Sequence, residues 1–217
     1  MALYDTPQKL LQGAFDSKQQ IALQRLLQHF NEAEIDPLET ANVISNTGTK
    51  AAVSTLTVAE AGDSYHHVTT LTLTAFAVGD SADNAALSDG ALIYTLPAGA
   101  IIVDACSLDV ALTLADAVQT DTPELGVGTT VGSGANATLG AVGAAAENVF
   151  EGTAVANVAG TTPLEAVKQP TAATTLLISA AADHTLYLNV ADTWADLTAA
   201  SAITATGTVR LVWRFVV

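Results

Sequence analysis

Several short runs in this chain carry residue types that can do chemistry. Asp80-Ser81-Ala82-Asp83-Asn84 and Asp89-Gly90 crowd carboxylates into one loop. Calcium favours such oxygen-rich loops, but the spacing departs from the EF-hand pattern, and a solvated acidic turn is the simpler account. Gly132-Ser133-Gly134-Ala135-Asn136-Ala137 fits the loose dinucleotide pattern G-x-G-x-x-A. That pattern needs a helix opening at its third small residue, and the glycines that follow argue against one. His66 and His67 adjoin on an expected strand, so their side chains point to opposite faces and do not share a metal easily. His29 and His184 lie elsewhere, and no Cys/His spacing of a zinc site occurs.

Asp104, Asp109, Asp116 and Asp121 are close enough in sequence to suggest acid–base pairs. Alternation along a regular strand would put Asp104 and Asp109 on opposite faces. The Gly-x-Ser-x-Gly elbow of a serine nucleophile is missing. Cys106, the single cysteine, lies in the apolar run Ile101–Val110 and reads as a small buried hydrophobe; a nucleophile there would need a base nearby. The Asn136-Ala137-Thr138 sequon has meaning only in a secretory pathway. Trp194, between Asp192 and Asp196, is the candidate exposed aromatic. It either stacks on a sugar or covers the edge of the core, and the cover is favoured because large aromatics bury their area. These spacings leave no catalytic, cofactor-binding or metal residue, so the expectation is a protein that is not an enzyme.

The elements that must position these residues follow from charge and pattern. The 217 residues hold 22 acidic and 7 basic side chains, a net of −15. Residues 1–50 contain four bases and six acids; residues 51–217 contain three bases and sixteen acids. Such a surface repels nucleic acid and anionic membranes, and neither is expected as a partner. No apolar stretch reaches the roughly 18 residues of a membrane span. The N-terminus lacks the charged-then-apolar order of a secretory signal, so a chain made and kept in a cytoplasm, or released inside a larger particle, is expected. One cysteine allows no internal disulfide, and a domain of this size, burying roughly 70% of its unfolded surface, needs none.

Residues 1–36 read as a short helical arm. Thr6-Pro7 suits a helix start. Leu10, Leu11 and Phe15, then Leu23, Leu26, Leu27 and Phe30, recur at helical spacing as a narrow apolar stripe. Asp36-Pro37 ends the pattern. A helix this short is marginal alone, so the stripe is a candidate docking face, either on its own domain or on a neighbour. Residues 37–62 read as a connector with one strand near Ala52–Val58. Residues 63–217 read as about eight strands separated by Gly, Asp, Asn and Pro clusters, an antiparallel β-sandwich or barrel. Val68–Phe76, Ala91–Leu96, Ala100–Leu114, Leu125–Val131, Asn148–Val155, Thr174–Ser179, Thr185–Val190 and Gly207–Val217 are the expected strands. The Ala-rich tracts 135–146 and 195–205 read as loops with small-residue strand pieces. In the last strand, Val209, Leu211, Trp213 and Phe215 share one face, which predicts a central position; Arg210 and Arg214 share the other. Those arginines either pair with carboxylates of the body, the favoured reading, or face a neighbour.

Residues 64–217 also resemble small virion proteins of tailed bacteriophages. The resemblance is carried by Leu92-Ile93-Tyr94-Thr95-Leu96-Pro97-Ala98-Gly99-Ala100-Ile101-Ile102-Val103, by Leu125-Gly126-Val127-Gly128, by Thr185-Leu186-Tyr187-Leu188-Asn189-Val190-Ala191-Asp192, and by the closing Gly207–Trp213. It implies a capsid decoration (cement) protein of jelly-roll type, set on the major capsid protein shell as a homo-oligomer, with a trimer favoured. It carries no cofactor. The chain is short and acidic for a major capsid protein. A head-fibre or tail component and a carbohydrate-binding β-sandwich module are the alternatives.

Overall fold

The computed structural model describes residues 47–63, 65–81, 86–114, 121–155, 164–168, 176–178, 184–194 and 201–216. The expected arm, with Leu10, Leu11, Phe15, Leu23, Leu26, Leu27 and Phe30, lies outside these residues. The described chain is mainly β. Its strands are β1 (Thr49–Lys50), β2 (Leu56–Gly62), β3 (His66–Ser81), β4 (Ser88–Leu96), β5 (Ile101–Leu114), β6 (Glu124–Gly128), β7 (Phe150–Ala154), β8 (Leu164–Lys168), β9 (Leu176–Ile178), β10 (His184–Ala191) and β11 (Ser201–Phe215). They form a five-stranded sheet in the order β1-β4-β10-β6-β7 and a six-stranded sheet in the order β2-β3-β11-β5-β8, where β9 also pairs with β5. Every described pairing is antiparallel. From β3 to β6 each connection changes sheet, as do those from β7 to β8, β9 to β10 and β10 to β11.

Period-2 alternation explains why both sheets bury one face. Leu71, Leu73, Phe76 and Val78 of β3 turn inward, as do Leu108, Val110 and Leu112 of β5 and Val209, Leu211 and Trp213 of β11. They share one buried cluster with Ile93 and Leu96 of β4, Leu125 and Val127 of β6, and Leu186, Leu188 and Val190 of β10. A fully buried aliphatic or Phe side chain contributes about 1.5–3 kcal/mol. β11 lies between β3 and β5, the central place expected from its alternation. Trp213 and Cys106 have no exposed surface.

Other expectations change in part. Residues 47–62, read as a connector, carry β1 and β2, which pair with β4 and β3 at one edge of each sheet. Leu56 anchors the second of these strands in the core, so the strand sits at 56–62. The tract 135–146 holds no strand. It forms a one-turn helix α1 (Leu139–Val142) and a 3-10 turn (Ala144–Ala146). Thr138 caps the helix, its Oγ1 accepting from the Ala141 amide at 3.2 Å. The tract 195–205 contributes residues 201–205 to β11, and residues 195–200 lie outside the described chain. β8 is an unexpected strand; its run Leu164-Glu165-Ala166-Val167-Lys168 is short and carries two charges in five residues.

Residues 129–149 leave the five-stranded sheet and fold back over its outer side. Asn189, on β10 and fully buried, holds them there. Its Oδ1 accepts from the Gly132 amide at 2.8 Å, and its Nδ2 donates to the carbonyls of Thr130 at 2.9 Å and Ala146 at 2.7 Å. Gly90, opposite Asn189 on β4, leaves room for that amide: a Cβ there would stand 2.0 Å from Asn189 Oδ1. Asn189→Ala leaves one amide and two carbonyls without this partner in the interior, so it is expected to cost about 3 kcal/mol. Urea unfolding should show a lower midpoint at unchanged slope; a midpoint equal to wild type would rule out the pinning role.

Candidate functional site

The two sheets differ on their outer sides. Residues 129–149 lie over the five-stranded sheet, whereas no described residue covers the centre of the six-stranded one. There, register sets the side chains in rows. Thr57, Thr72, Thr208, Asp109 and Glu165 stand side by side across β2, β3, β11, β5 and β8. The next row is Ala59, Thr70, Arg210, Ser107 and Val167, and beyond it come Ala61, Val68, Val212 and Ala105. Side chains this small leave a flat surface with a shallow groove of about 560 Å³ around Arg210, Asp109 and Glu165. Val167 is 76% exposed and Val212 36%.

Of the body's cations, Arg210 and Arg214 stand on this face, Lys50 is on β1 of the other sheet, and Lys168 alternates to the side of β8 opposite Glu165 and Val167. Arg214 Nε lies 3.0 Å from Asp104 Oδ2, and Lys168 Nζ 3.5 Å from Glu151 Oε2. Lys50 donates to the carbonyls of Ala51 and Val53. Among the described residues Arg210 is the one cation with neither an ion pair nor a hydrogen bond through its side chain. Beside it Asp109 and Glu165 are direct cross-strand partners, a like-charge pairing that costs stability. The expected pairing of the arginines with body carboxylates therefore holds for Arg214 and not for Arg210.

Asp104 and Asp109 lie on the same outer side, against the expectation from simple alternation. Val212 pairs with Ala105 and Trp213 with Val103, so Asp104 is the extra residue of a bulge that shifts the phase of β5. Asp121 sits instead near Asp192, at the end of the five-stranded sheet. Burial, with a further contribution from the Asp121 charge, holds the Asp192 carboxyl above the ordinary carboxylate range. Asp89 Oδ2 accepts from the Asp80 amide at 2.9 Å, and Asp83 and Asn84 lie outside the described residues. Among the described residues no group of three or more His, Cys, Asp or Glu side chains is placed to hold a metal ion.

Trp194 is corrected from a candidate exposed aromatic to a core lid. It is 1% exposed, and its Nε1 donates to the Leu87 carbonyl at 3.0 Å. The Gly132–Ala137 run precedes the one-turn α1 and the antiparallel strand β7, and its Gly134 carbonyl accepts from the amides of Leu87 and Ser88. His66 is exposed beside Asp63, while His67 is buried and stacks on Trp213 with ring centroids 3.9 Å apart, so the pair does divide between faces.

One polar chain crosses the interior. Tyr94 of β4 donates its hydroxyl hydrogen to Glu60 of β2 and accepts from the Gly48 amide at 2.8 Å. Thr69 Oγ1 donates to the same carboxylate at 2.9 Å and accepts from Trp213 Nε1 at 2.8 Å. Burial, and then the neighbouring Glu60, push the Tyr94 phenol well above its ordinary 10.0. Sequence alternation places these residues inward without showing that they meet.

Burial pushes the Cys106 thiol up as well. Thiol reagents are expected to leave it unmodified in the native protein and to react fully after denaturation; fast native labelling would contradict the packing. Below pH 10 the Tyr94 phenol is neutral in both the folded and the unfolded chain. Above it the unfolded chain releases a proton that the folded chain retains, so stability falls by up to about 1.4 kcal/mol per pH unit. Tyr94→Phe should flatten that fall in alkaline urea titrations; parallel wild-type and variant curves would argue against a raised phenol. No family model, curated protein or solved structure matches this chain.

Proposed function

We propose that this chain is a virion structural protein of a tailed phage, without enzymatic activity. In this reading it decorates and stabilises the outer surface of the capsid and docks on the major capsid protein shell through its N-terminal arm. The body is proposed to be a β-sandwich of the jelly-roll type.

The observation that carries the reading is the strand order. Setting aside β1, β2 and β9, the eight remaining strands run β3-β11-β5-β8 in one sheet and β4-β10-β6-β7 in the other. Two sheets of four strands, with the chain returning across from one to the other at nearly every connection, fit the double Greek key expected of a jelly roll. Fold alone does not assign a role. The supporting points are the phage-like motifs and the use the structure makes of them. Leu186, Leu188 and Val190 face the core and Asn189 pins a covering loop, so the L-Y-L-N run serves architecture. Trp194, the aromatic half of the site that a carbohydrate-binding module would share with the acidic loop, is buried, which favours the structural reading.

The arm supplies the test. Full-length protein is expected to co-sediment with expanded capsids, and a variant lacking residues 1–36 to stay in the supernatant with its unfolding midpoint unchanged. A truncated protein that binds shells as tightly as the full chain would refute docking through the arm. Failure of the full chain to bind any shell would refute the decoration role itself.

A further inference from the structure

We propose that the outer face of the six-stranded sheet docks a second copy of this chain, face to face about a two-fold axis. The inference stands apart from the shell reading, because it concerns the free protein, and it replaces the trimer that the phage resemblance implies.

Charge singles out this face. A chain of net −15 repels its own copies over most of its surface. Self-association needs a patch where the charges balance. Around the five-stranded sheet lie Asp89, Glu124, Glu147 and Asp192, with Lys50 the cation on its strands. The outer face of the six-stranded sheet carries both signs: Arg214 neutralises Asp104, and Arg210 stands one row from Asp109 and Glu165.

The face is also self-complementary. An interface about a two-fold axis apposes one patch to itself, so each group meets its opposite number on the partner. Here the patch holds one unpaired arginine and, about 7 Å along the strands, two facing carboxylates. Turning a second copy over on this face brings Arg210 of each protomer to the Asp109–Glu165 pair of the other. Both unfavourable features of the monomer are then answered together: the arginine gains carboxylates, and the like-charged pair gains a cation. The same contact covers Val167 and Val212, and the small Thr, Ser and Ala side chains let the sheets approach closely. Arg is a residue type enriched at the centre of such contacts.

Sedimentation velocity on the full chain tests this. Wild type is expected to run as a dimer at physiological ionic strength. Arg210→Glu should weaken the dimer by at least about tenfold. Asp109→Lys with Glu165→Lys in one chain should weaken it similarly. Each variant alone places like charges against like, but a mixture of the two restores both attractions, so mixing is expected to give a heterodimer. Val167→Glu provides a variant outside the charge set, also expected to dissociate. Circular dichroism confirms that each variant is folded. A wild type that is monomeric or trimeric, an Arg210→Glu protein that stays dimeric, or folded variants that do not pair on mixing would each overturn the proposal.

Discussion

Both sheets bury their inner faces in one core, and each strand can offer that core only every second residue. Much of the architecture follows from this constraint. Strands that alternate strictly, such as β11, run through the middle of a sheet. Where alternation would put the wrong residue inside, the chain inserts a bulge. Asp104 is such a residue: the extra position turns Cys106, Leu108 and Val110 inward and leaves the aspartate to meet Arg214 outside. Gly207 on β11 instead allows a close approach: its φ is +138°, and a side chain there would strike the Asp109 carbonyl.

A core closed by two sheets has little room for polar groups, and several of those inside meet one another. Glu60 reaches in from an edge strand and is met by Tyr94 and Thr69, while Trp213 completes the chain through Thr69. Asn189 does the corresponding task on the other side of the five-stranded sheet, where it secures three backbone groups of the loop that covers it. Networks of this sort select one arrangement, because a shift in register would leave several partners unsatisfied at once.

The same economy makes the two outer sides unequal. One is covered by residues 129–149. Over the other no described residue packs, and it presents small side chains with charges of both signs. A protein made to sit in an assembly needs a stable body and surfaces that tolerate burial against neighbours. In the proposed reading the arm provides contact with the shell and the open sheet face provides contact between copies. The acidity of the remaining surface keeps other associations weak.

Composition and periodicity alone determined the mainly β class, most strand positions, the central place of the last strand, the inward Cys106 and Trp213, and the split of His66 from His67. These depend on local rules: alternation, β-branched content and turn residues act over a few positions each. The structure decided what those rules do not reach. It put Trp194 under Leu87, moved Asp104 to the side of Asp109, gave the 135–146 tract a helical turn, and recruited residues 47–62 into the sheets. It also supplied β8, whose Glu165 and Val167 complete the open face around Arg210. Each of these depends on which strands become neighbours and in what register. Register is set by how two sheets, far apart in sequence, fill one shared interior.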